Sequence, residues 1–129
     1  MYHFWYMLGG WGTRLIALKK VQAVFYRTKQ GAEPVRDFIR TLPREDRRII
    51  GNDIATVEFS WPVGKPTCAP LGMGLWEVRS DLTGKRIARV LFMLHQGEMV
   101  LLHGFIKKTQ KTPQSDLELA RKRMKEVRG

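Results

Sequence analysis

With 129 residues and 43% hydrophobic composition, the chain is long enough for one real core and too short for two ordinary domains. Its 23 Lys and Arg against 12 Asp and Glu give a formal charge of +11, which points to a polyanionic partner, either nucleic acid or an acidic protein. The single Cys68 excludes an intramolecular disulfide framework and favours a reducing cytoplasm, and no run approaches the roughly 18 to 20 apolar residues of a membrane span.

The first twenty residues are aromatic-rich and unperiodic. Their first basic residue, Arg14, follows the apolar part, and Gly9, Gly10 and Gly12 interrupt it, which is the wrong order and continuity for a secretion signal. Residues 1–20 are therefore expected to be an N-terminal extension outside the domain, as a disordered arm, a hydrophobic flap or an upstream start-site artefact. Residues 21–129 are expected to form the domain. Val21 to Arg27 is β-branched and aromatic and predicts a strand. A turn follows, then Pro34 in a first helical position with Val35, Phe38, Ile39 and Leu42 at helical spacing. Leu42-Pro43 ends that helix and starts a second, whose stripe is Ile49, Ile50, Ile54 and Val57.

Residues 21–60 hold seven basic and six acidic side chains, so the excess positive charge lies further on. The stretch from Trp61 to Pro70, with three prolines and a glycine, predicts an irregular loop. Leu75 to Ser80, Arg86 to Leu94 and Met99 to Lys107 predict three strands joined by short turns, an antiparallel meander. Alternation places Val90, Phe92 and Leu94 on one face of the middle strand and Arg89, Leu91 and Met93 on the other. In the last strand it places Val100, Leu102 and Ile106 together, opposite Leu101, His103, Phe105 and Lys107. A slip of one residue would exchange the faces and bring in Arg86 or Lys108.

The tail predicts a helix capped by Thr112, with Pro113 in its first turn and Asp116 and Glu118 at the positive end of its dipole. Leu117, Ala120, Met124 and Val127 form its apolar side. Arg121, Lys122, Arg123, Lys125 and Arg128 crowd its C-terminal half, either complementing the dipole or offering a partner surface. The order strand, two helices, three strands, helix is an α+β domain.

The segments VQAVFYRTKQGAEPVRDFIRTLP, GLWEVR, RVLFMLHQGEMVLLHGFIKKTQKTP and LELARKRMKE resemble the Gp49-like, HigB-type branch of the RelE/ParE toxin superfamily, from about Val21 to Glu126. The resemblance implies a RelE-like compact fold, an antiparallel sheet flanked by helices. It also implies a cytoplasmic type II toxin that cuts mRNA on the ribosome. Its expected partners are mRNA, the ribosome, a helix-turn-helix antitoxin from the same operon, and operator DNA through the antitoxin complex. No cofactor, metal or membrane partner is expected.

RNA cleavage without a metal needs the ribose 2′-hydroxyl in line with its neighbouring phosphate, stabilised charge on the phosphoryl oxygens and a proton for the leaving oxygen. By similarity Arg79, Arg89 and Lys107 or Lys108 occupy the family's basic strand positions, with Arg89 as phosphate clamp. His103 is the candidate for proton transfer and Phe105 for base stacking. Arg86, Lys65 and Lys111 complete the expected RNA contacts. Glu77 is either a general base or an ion-pair partner of an arginine, and the latter is favoured. Two other readings stand beside the nuclease: a gyrase poison of the ParE type, and a phage-derived module that binds nucleic acid or protein without cleaving.

Overall fold

The computed structural model describes residues 19–107 and 111–129. In chain order they form β1 (Gln22–Phe25), α1 (Pro34–Arg40), α2 (Arg44–Ser60), β2 (Cys68–Gly72), β3 (Leu75–Asp81), β4 (Ile87–His95), β5 (Glu98–Lys107) and α3 (Gln114–Arg128). The strands make one sheet in the order β1-β5-β4-β3-β2. The α+β class follows the sequence pattern, and Pro34 opens α1, where its missing N–H costs nothing.

Two features of the sheet differ from expectation. It is mixed rather than antiparallel, because β1 runs parallel to β5, with Ala23 opposite Met99 and Phe25 opposite Leu101. The predicted loop at 61–70 also gives way to a further strand, β2, which pairs antiparallel with β3. Prolines argue against central strands, but β2 is an edge, where Pro70 sits opposite Trp76 without interrupting the inner ladders. The meander therefore has four strands. Two of its turns, Met73-Gly74 and Gln96-Gly97, place both residues at positive φ, the conformation that matches the twist of tight hairpins.

A helical layer covers each face of the sheet. On one side Val35 and Ile39 of α1 and Ile50, Ile54 and Val57 of α2 are fully buried against Ala23, Phe25, Val78, Val90, Phe92 and Leu101. Each such side chain contributes about 2 kcal/mol of burial. Trp61 closes this layer, edge-on to Trp76 at 5.0 Å and to Phe92 at 5.7 Å. On the other side Ala120 and Met124 of α3 pack on Val24, Leu75, Leu91, Met93, Val100 and Leu102.

The faces of β4 follow the predicted alternation. Those of β5 do so only in part, because Leu91 opposes His103 while Phe92 opposes Leu101, leaving Leu102 as the extra residue of a bulge. Before the bulge the faces are exchanged relative to the sequence reading. Val100 and Leu102 join Phe105 on the α3 side, and Leu101 joins Ile106 on the other.

Ion pairs fix the margins. Glu58, buried at the end of α2, accepts from the Ala23 backbone N–H at 2.8 Å and from Lys19 Nζ at 3.0 Å, and its carbonyl accepts from the Lys20 N–H. Burial raises the pKa of its carboxyl and lowers that of Lys19. This arrangement ties the start of β1 to α2. Residues 1–18, most of the predicted extension, lie outside the described residues.

The arginines of α3 are used mainly as tethers to carbonyls of the strands and of the β2–β3 turn. Arg121 donates to Leu71 O (2.9 Å) and Gly72 O (3.2 Å), Arg123 to Leu102 O (2.8 Å) and Arg128 to Met73 O (3.4 Å). Among the described residues no helix is long and apolar enough to cross a membrane.

Gly104 has its own packing reason. A Cβ there would lie 2.6 Å and 2.9 Å from two ring carbons of Phe38, so the ring of α1 rests directly on the β5 backbone. Gly104→Ala is expected to lower stability by about 1–3 kcal/mol through overpacking, and Phe38→Leu in the same chain should recover part of that loss. Urea denaturation reads both, and an alanine variant as stable as its parent would contradict the contact.

Candidate functional site

On the α3 face, β3 and β4 place Arg79 directly opposite Arg89. Like charges so placed repel, and the two differ in setting: the Arg89 side chain is 0% exposed and that of Arg79 is 28% exposed. Beside Arg89 stands the carboxylate of Glu77, one alternation back along β3 and itself buried. Its Oε2 lies 3.9 Å from Arg89 Nη1, too far for a direct hydrogen bond. Thr112 fills the gap. Its hydroxyl accepts from Arg89 Nη1 at 2.7 Å and donates to Glu77 Oε2 at 2.8 Å.

This differs from the predicted role of Thr112 as the cap of the last helix. The helix begins at Gln114, Pro113 is the residue at its N-cap, and no side chain caps it. A residue before proline is held extended, so Thr112 stands outside the helix with its hydroxyl turned to the sheet.

Above this group is a cleft of about 500 Å³. Lys65, Arg79, Arg89 and Lys111 line it with Glu77 and Thr112, and Pro66, Ala69, Pro70, Leu71 and Leu117 form an apolar wall. Four cations thus meet one carboxylate across a surface that is also partly apolar, an arrangement suited to a phosphate ester with an organic substituent. Arg79 also borders a smaller recess with Asp53 and Asp81, and its Nε lies 3.6 Å from Asp81. Burial raises the pKa of the Asp53 carboxyl.

The structure brings together Lys65, Arg79, Arg89 and Lys111 from the residues expected by sequence. The others lie elsewhere. Arg86 is on the opposite side of the sheet, donating to both carboxyl oxygens of Asp46 (2.8 and 2.9 Å) at the start of α2, and that hydrogen bonding holds the Asp46 pKa down. His103 shares the face of Arg89 but does not line the cleft; its Nε2 lies 2.6 Å from Asp116 Oδ1 in the first turn of α3. Phe105 is buried opposite Arg89 and stacks on His103 at 5.4 Å, so its ring is used within the fold. Lys107 ends β5 in solvent, outside the cleft lining. Lys108 lies outside the described residues.

Sequence reasoning missed Thr112 as a site residue and missed the wall formed by Pro66, Pro70 and Leu71. Glu77 is the ion-pair partner of an arginine, as favoured. Cys68 is buried on β2 with its thiol pushed up to about 11 by desolvation, consistent with an inert packing residue. Among the described residues no group of three or more His, Cys, Asp or Glu side chains is placed to hold a metal ion.

A second recess, of about 320 Å³, lies by the C-terminal half of α3 and includes Tyr26, Lys29, Lys122 and Arg123. The Tyr26 hydroxyl donates to Glu126, and Arg123 lies 5.4 Å from the ring centre. Burial pushes the Tyr26 pKa up to about 12.

The Glu77–Arg89 pairing yields a stability prediction. Glu77→Gln should cost about 3 kcal/mol, because it removes a negative charge from beside a buried guanidinium. Glu77→Gln combined with Arg89→Met should recover most of that loss. Additive losses in denaturant melts of the two single variants and the double variant would contradict the coupling.

No curated protein matches the chain. The family model described as phage-derived protein Gp49-like matches residues 37–125, which runs from within α1 through α2 and β2 to β5 into α3. The chain belongs to the Gp49-like family, a phage-derived family of the RelE/HigB-type toxin group.

Proposed function

We propose that this protein is the toxin of a type II toxin–antitoxin system and cleaves mRNA on the ribosome, in the cytoplasm. Two things support the reading: membership of a family in the RelE/HigB-type toxin group, and an arginine pair facing across two strands in a cleft that also holds Lys65 and Lys111. The observation that carries it is the arginine pair. Two like charges held opposite one another weaken the sheet, and an anion between them turns that cost into binding energy.

In this reading Lys65, Arg79 and Lys111 hold the mRNA phosphates, and the ribose and base lie along the proline and leucine wall. Arg89, at the cleft floor, stabilises charge that builds on the phosphoryl oxygens as the 2′-oxygen, its proton passing to solvent, attacks phosphorus and the 5′-oxygen leaves and takes up a proton from solvent. The products are a cyclic phosphate and a 5′-hydroxyl end. The cationic side chains supply the charge stabilisation, so the step needs no metal ion.

His103 is assigned a positioning role, because its imidazole is engaged by Asp116. Glu77 is the one carboxylate among the described residues that line the cleft. The basic surface fits an acidic or amphipathic segment of an antitoxin, here a helix-turn-helix protein that also carries the complex to operator DNA.

Mapping of mRNA 5′ ends in a purified translation reaction tests this. New ends should require ribosomes and fall about 100-fold in Arg79→Ala, the scale expected for loss of one charge-stabilising donor. Undisturbed translation with the wild-type protein, or cleavage unchanged in Arg79→Ala, would overturn the reading.

A further inference from the structure

We infer that Thr112 is a positioning residue of the proposed nuclease site: its hydroxyl sets the Arg89 guanidinium in the cleft floor by joining it to Glu77. This inference rests on the nuclease reading for its kinetic consequence, but its geometry stands apart from it.

Three observations carry it. The guanidinium and the carboxylate are 3.9 Å apart, beyond direct hydrogen-bond reach, while the Thr112 hydroxyl bonds both, at 2.7 and 2.8 Å. A hydroxyl has one proton to donate, and that proton goes to Glu77, so the oxygen is left to accept from Arg89. All three groups are buried, so the chain of hydrogen bonds runs where water competes least.

The residue type and its neighbour suit the task. Thr is branched at Cβ and stiff about χ1, and Pro113 restricts the backbone of the residue before it to extended conformations. Thr112-Pro113 is therefore a rigid bracket, locked in both backbone and side chain, that meets β3 and β4 at the start of α3. With Thr112 in place the Nη1 edge of Arg89 is fixed, and the guanidinium plane is set before substrate arrives, which is the preorganisation that charge stabilisation in a transition state requires.

Thr112→Val keeps the shape and removes the hydroxyl, whereas Thr112→Ser keeps the hydroxyl and loses the branch. Valine is expected to slow ribosome-dependent cleavage about tenfold or more, with less than a threefold change in affinity for an oligoribonucleotide carrying a 2′-deoxy sugar at the cleaved position. Serine should restore most of the rate. Side-chain N–H resonances of Arg89, followed by NMR in the same proteins, should shift in Thr112→Val and return in Thr112→Ser. A valine variant that cleaves at the wild-type rate would overturn the inference. So would unchanged Arg89 resonances in that variant. If the wild-type protein does not cleave at all, the nuclease reading fails, and the resonances alone decide whether Thr112 sets Arg89.

Discussion

Everything around the cleft answers to a single constraint, a guanidinium with no solvent exposure in the middle of a sheet. Moving such a charge out of water costs several kcal/mol even after relaxation, against a net stability that for a domain of ordinary size is about 5–15 kcal/mol. Arg89 must therefore be met by charge and hydrogen bonds from elsewhere in the chain. Glu77 supplies the charge from β3, and Thr112 supplies the bond from the start of α3. The position of α3 and the register of β3 on β4 are thus coupled through one side chain. Arg79, facing Arg89 across the ladder, adds repulsion that the fold tolerates. Such a pair is poor design for stability alone and good design for an anion site.

The rest of the architecture keeps that group in place. One helical layer, α1 and α2, carries most of the apolar burial, with Gly104 letting Phe38 lie against β5. The other, α3, buries little beyond Ala120 and Met124, and gains much of its fixation from arginine bonds to carbonyls of β2, β5 and the β2–β3 turn. The bulge at Leu102 serves the same layer. It turns Val100 and Leu102 toward α3 and keeps His103 within reach of Asp116. The two ends of α3 are therefore used differently: its start meets the cleft, and its basic C-terminal half is largely spent on holding the helix down.

Much of this is legible in the sequence, because helices and inner strands obey short periodicities. The stripes Val35 to Leu42 and Ile49 to Val57, and the alternation through Arg89 to Met93, each contain their own partners in register. What escapes has non-local causes. Pro70 reads as a loop signal and becomes an edge strand only because β3 lies beside it. The faces of β5 depend on a one-residue bulge that no spacing rule marks. Thr112 satisfies every local criterion for a helix cap, yet its partners are 23 and 35 residues away. Arg86 and Arg89 look alike in the sequence, yet Arg86 lies just before β4 and turns to Asp46, whereas Arg89 lines the cleft. The arginines of α3 suggest a phosphate surface by number, and only their carbonyl partners show another use.

In the proposed function, the cleft over the Arg79–Arg89 pair is where this toxin-group protein receives RNA. The most direct measurement is an NMR titration with a short oligoribonucleotide made uncleavable by one 2′-deoxy sugar, following the side-chain signals of the arginines and lysines. Shifts that saturate together at Lys65, Arg79, Arg89 and Lys111, and weaken steeply with salt, are the predicted result. Shifts confined to Lys29, Lys122 and Arg123 by the second recess, with the cleft silent, would contradict the account.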